Sequence, residues 1–151
     1  MDLRESFGSL LGRWNGLERL AAGPGAAPLT ARASFVFALA VADTVVVQDF
    51  RRVRDDGTEL SGHGVFLPEP RSEGVLWWCF DTSAEPPAPV PGHWSDGLVL
   101  EALSGRGRLR YRFRAAGDRL DHSVHGVEVD PDGAERLEPV LVGTYRRLSG
   151  H

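Results

Sequence analysis

The chain has 151 residues, enough for one domain with a core of its own. Hydrophobic residues make up 42%, charged residues 25%, and the formal net charge is −4, a balance that suits a soluble globular protein. Nothing in it draws the molecule toward nucleic acid or an anionic membrane, and neither is expected as a partner.

All 17 basic residues are arginine, which with abundant Ala, Gly and Pro points to a GC-rich, bacterial genome. Cys79 is the single cysteine, so no intrachain disulfide can form, and the cytoplasm is the expected location. Met1 to Leu11 carries Asp2, Arg4 and Glu5 and lacks the apolar run of a secretory signal. The longest apolar stretch, Phe35 to Ala42, is too short for a helix to cross a bilayer.

In chain order, Asp2 and Glu5 have the spacing of a helix N-cap and its reciprocal partner. Leu3, Phe7, Leu10 and Leu11 share one helical face and Gly12 ends it, which predicts a short helix over about residues 2–11. Strand character follows over 13–20, 29–40, 44–53, 59–67, 74–81, 98–103, 109–115, 120–129 and 137–147, with a short strand near His93 and Trp94. Turn chemistry separates them: a Gly/Ala/Pro loop at 21–28, Ala42-Asp43, Asp55-Asp56-Gly57, Ser104-Gly105-Arg106-Gly107, Gly117-Asp118 and Asp130-Pro131-Asp132-Gly133. About nine or ten short strands at regular spacing predict an all-β antiparallel barrel. The whole of 1–151 reads as one domain, with the barrel over about 12–147.

Arg108 to Arg114 alternates with a period of two, placing four arginines on one face and Leu109, Tyr111 and Phe113 on the other. No aromatic residue interleaves on the arginine face to stack bases, so the comb reads as a solvated wall. Thr82 to Gly92, with four prolines at 86, 87, 89 and 91, is a stiff loop expected at the barrel mouth.

In a closed barrel the first and last strands meet. Trp14 on one and Arg146 or Arg147 on the other can then stack, ring against guanidinium, worth roughly 0.5–2 kcal/mol. Five runs appear in order along nearly the whole chain: Leu10 to Gly16, Val46 to Phe50, Gly62 to Phe66, Phe80-Asp81 and Gly143 to Arg147. With them the chain resembles a family of bacterial proteins of unknown function built as calycin-like, up-and-down β-barrels, fold relatives of lipocalins, fatty-acid-binding proteins and nitrobindin-type haem barrels. The resemblance implies a cup that holds a ligand. In a nitrobindin-type barrel it also implies an axial histidine near the C-terminal strands, and here no histidine lies between Gly126 and His151. His122 and His125 are three apart and face opposite sides of a strand, so only one can enter the cup.

Flanking glycines mark His63 as a candidate polar anchor, with Gln48 beside it and Asp49 able to orient it; the glycines equally suit barrel curvature around a histidine satisfied by a neighbour. Phe50, Tyr111 and one of Trp77 and Trp78, namely Trp78, are expected to wall the cavity. His93 is expected to cap the mouth and His125 completes the candidate ligand-binding set. No nucleophile elbow, phosphate loop or dinucleotide fingerprint is present, so no catalytic residue and no cofactor is assigned. Asp130 to Gly133 lacks the remaining ligands of a calcium loop and reads as a turn.

The expected function is reversible binding of a small, mainly apolar or planar ligand. Three alternatives stay open: an enzyme using His63 as acid or base, a haem or metal barrel, and an interaction module, with a homodimer through a strand such as Leu29 to Val41 as one form of the last.

Overall fold

In the computed structural model, which describes residues 1–83, 86–104 and 107–149, alternation of apolar and polar side chains resolves into ten antiparallel strands. They are β1 (Gly12–Leu20), β2 (Leu29–Ala40), β3 (Val45–Arg54), β4 (Glu59–Pro68), β5 (Val75–Asp81), β6 (Val90–Trp94), β7 (Leu98–Ser104), β8 (Gly107–Ala116), β9 (Arg119–Val129) and β10 (Glu135–Arg147). Each pairs with its sequence neighbours, and β1 pairs with β10, so the sheet closes into an up-and-down barrel. Gly105 and Arg106, within the expected β7–β8 turn, lie outside the described residues, as do Ala84 and Glu85 of the proline loop and His151.

The N-terminal helix is shorter than its apolar spacing suggests. Helix α1 covers only Leu3–Ser6, capped by the Asp2 carboxylate, which accepts from the Arg4 and Glu5 amides at 2.9 and 3.3 Å. Gly8 and Ser9 are weak helix formers, and the chain passes through a turn in which the Leu10 and Leu11 amides both donate to the Phe7 carbonyl. Its stripe is nonetheless a plug: Leu3, Phe7 and Leu10 are buried, and Phe7 meets Phe66 and Trp94 at ring-centroid distances of 5.2 and 5.1 Å. Gly12 then turns the chain into β1 with φ of 123°, and a Cβ there would stand 2.8 Å from an Arg147 nitrogen.

Closure depends on Arg147. Its guanidinium carbon lies 4.2 Å from the centroid of the fully buried Trp14 ring, directly across the β1–β10 pair, and it donates to the Leu11 and Ser9 carbonyls at 2.5 and 2.9 Å. The Trp14 indole N–H donates to the Leu10 carbonyl at 2.9 Å. Arg146, one residue earlier, faces solvent, because neighbouring residues on a strand point to opposite sides.

The arginine comb lies on the outer wall. Arg108 and Arg110 share Glu101 and Glu135, and Arg114 pairs with Asp96, so much of its positive charge is matched locally. A register shift between Pro139 and Leu141 lets β10 change parity: Glu135 points out to the comb, while Leu141, Gly143 and Tyr145 point in.

Candidate functional site: a cavity at the open end of the barrel

The barrel has two unlike ends. Toward the helix, Trp14, Phe37, Val46, Phe66, Val75 and Leu98 pack solidly beneath the plug. At the other end a cavity of about 470 Å³ remains. Phe35, Phe50, Trp77, Tyr111 and Phe113 form its walls, while Pro86, Pro87 and Ala88 of the proline loop join Leu60, Leu103 and Val140 around it.

Gln48, Arg52 and His122 bring polar groups to this aromatic surface, with Glu18 and Tyr145 behind Arg52. Gln48 is 1% exposed, and its Oε1 accepts from the Trp77 indole N–H at 3.2 Å. Glu18, wholly buried, receives Arg52 on both oxygens and the Tyr145 hydroxyl on Oε2. Burial first, then the Glu18 charge, raises the Tyr145 phenol and keeps it a donor. The third group is His122. Its ring stacks on Phe113 with centroids 4.0 Å apart and planes 12° from parallel, and Nδ1 lies 2.8 Å from the Arg112 carbonyl oxygen. Burial pulls its pKa down to about 4, so the ring is neutral at pH 7.

Of the sequence-derived candidates, the structure brings Gln48, Phe50 and Tyr111 together in the cavity and places the other four elsewhere. His63 stands on the outer wall, where Nδ1 is 2.7 Å from Asp49 Oδ1 and the two side chains are 46% and 65% exposed. The flanking glycines make room for other groups. A Cβ on Gly62 would lie 2.2 Å from the Phe50 ring, and one on Gly64 would lie 2.5 Å from both Gln48 Oε1 and Trp77 Nε1. Trp77, not Trp78, lines the cavity, because strand parity sends Val75, Trp77 and Cys79 inward and Trp78 outward. His93 is exposed on β6 rather than at the mouth. His125 lies outward beside Arg110 and Arg112; partial burial and then those arginines lower its pKa.

Sequence reasoning missed Glu18, Arg52, Tyr145 and, as a cavity residue, His122. The signal was present: Glu18 follows Trp14, and Arg52 follows Gln48 and Phe50, at even steps on the same strands.

The His63–Asp49 pair has acid–base geometry, but it faces solvent on a convex wall, outside the cup where the enzyme alternative requires it. Cys79 lines the cavity, yet burial and then Asp81 push its thiol up to about 12, which leaves it a poor nucleophile. Among the described residues no group of three His, Cys, Asp or Glu side chains is placed to hold a metal ion. For the haem mode implied by the resemblance, β10 carries no histidine, and among the described residues the inward His122 of β9 is the one that could present a ring nitrogen to the group. A groove on the outside of β1 to β3, lined by Leu17, Arg32 and Arg51, is open to solvent on a convex surface. Among the described residues no helix is long and apolar enough to cross a membrane.

This fold is that of a calycin-like β-barrel, and the comparisons with solved structures agree. The chain is similar to Rv2717c from M. tuberculosis, with 20% identity, 98% of each chain covered and a TM-score of 0.69. It is also similar to the S-type phycobiliprotein lyase CPES from Guillardia theta, with 14% identity, 100% of this chain and 95% of that chain covered, and a TM-score of 0.68. No family model and no curated protein matches the chain.

Proposed function

We propose that this barrel reversibly binds a small, flat, mainly apolar molecule in the cavity at its open end. The observation that carries the reading is the cavity itself: about 470 Å³, walled by five aromatic rings, with a few polar groups of fixed orientation. That is the composition of a small-molecule site, where apolar walls supply affinity and sparse polar groups set orientation. The shared fold with a phycobiliprotein lyase supports a barrel of this type acting on a small ligand. The Glu18–Arg52 pairing favours a ligand without a strong net charge, since the cavity's arginine already has a carboxylate partner.

Native mass spectrometry of the purified protein after incubation with a metabolite extract tests the reading. The expected result is a discrete adduct, lost when Phe50 is changed to Trp to fill the cavity. No adduct from any extract, together with no quenching of Trp77 fluorescence by flat aromatic probes, would overturn it.

A further inference from the structure

Resting on that reading, we propose that the bound molecule carries a hydrogen-bond donor, a hydroxyl or N–H group, which it presents to Nε2 of His122. The argument starts from the other ring nitrogen. The Arg112 carbonyl can only accept, so Nδ1, 2.8 Å away, must carry the proton. In the neutral ring Nε2 is then a bare lone pair on a residue that lines the cavity, and among the described residues the hydrogen bond His122 makes is through Nδ1. Turning the ring over would keep its stack on Phe113 but set a C–H against the Arg112 carbonyl in place of Nδ1–H, so that hydrogen bond fixes which nitrogen stays free; Phe35 packs edge-on against the same His122 ring at 5.3 Å.

Gln48 and Glu18, the other fully buried acceptors of this region, are engaged. Gln48 Oε1 takes the Trp77 indole N–H, and Arg52 and Tyr145 occupy the Glu18 oxygens. A ligand that slides between Phe35, Phe50 and Tyr111 therefore meets an acceptor at His122 with no partner of its own. One that brings a donor satisfies it, and one that brings only carbon or an ether oxygen leaves it desolvated and unpaired. Selectivity by such a buried polar group is sharper than selectivity by shape alone.

Calorimetric titration with 2-naphthol and 2-methoxynaphthalene tests this, because the two share a ring and differ in the donor. The native protein is expected to bind 2-naphthol roughly tenfold more tightly than the ether. His122→Phe keeps a flat ring against Phe113 and is expected to bind both probes alike, near the ether's native affinity. In the native protein, whatever the variant's folding, the ¹⁵N resonance of Nε2 is expected to shift with 2-naphthol and stay still with the ether. Equal native affinities, a preference that survives His122→Phe, or an unmoved Nε2 resonance would each overturn the proposal. So would a Soret band on adding hemin that His122→Phe abolishes, which would assign the lone pair to a metal. Failure of both naphthalenes to bind would instead remove the ligand cavity itself.

Discussion

Arg52 is 12% exposed at its side chain and Glu18 not at all, so each removes from water a charge that only the other balances. Deleting one partner strands the other. Arg52→Met is expected to cost about 3–5 kcal/mol in urea unfolding, because the Glu18 carboxylate is left inside the barrel. The triple change Glu18→Leu, Arg52→Met and Tyr145→Phe leaves no orphan and is expected to cost less than Arg52→Met alone. A triple variant weaker than the single one would mean that the network contributes net stability. His122 gives a second test, through pH. Its folded pKa is depressed to about 4 against an ordinary 6.5, so the unfolded chain binds the proton first as pH falls. Stability from this group is present above about pH 6.5, declines through the window down to about 4, and is level below it. Over that window it amounts to about 3 kcal/mol. The difference in unfolding free energy between the native protein and His122→Phe is expected to change by that order between pH 7 and pH 4, and a constant difference would refute the assignment.

At the scale of the strand, β4 shows how a site can be misread. Gly62-His63-Gly64 looks like a histidine given space, whereas the space belongs to side chains from β3 and β5 crossing beneath the glycines. Gly64→Ala is accordingly expected to push Gln48 and Trp77 apart, break their 3.2 Å hydrogen bond and destabilise the protein by about 2 kcal/mol. His63→Ala, an exposed change, is expected to stay within about 0.5 kcal/mol in the same assay. Strand existence was legible because period-two alternation and turn residues are local signals. Which face of β5 looks inward was not, since Trp77 and Trp78 are equally apolar and parity comes from cross-strand register, Trp77 lying beside Phe66. Glu18 and Arg52 were readable by stepping in twos from Trp14 and Phe50, against the expectation that charged residues face water. The parity change at Pro139 has no marker beyond the proline itself.

Across the whole molecule the two ends divide the work, which gives a test that separates architecture from binding. The helix plug, Trp14 and Arg147 hold the closed end, whereas the cavity draws on Leu20, Leu60, Ala102 and Leu109 near the opposite ends of their strands. Arg147 combines a stack on Trp14 with bonds to the Leu11 and Ser9 carbonyls, and its side chain is 29% exposed, which screens part of their strength. Arg147→Ala is expected to cost about 2–3 kcal/mol and to speed amide exchange along the β1–β10 seam. Arg147→Lys should recover less than half of that loss, since a single ammonium cannot stack on the ring and fork to two carbonyls at once. Affinity for 2-methoxynaphthalene should meanwhile stay within about twofold, because Arg147 and Trp14 are not among the residues that line the cavity. A parallel loss of stability and probe affinity would show that the barrel's ends are coupled and that closure sets the shape of the cavity.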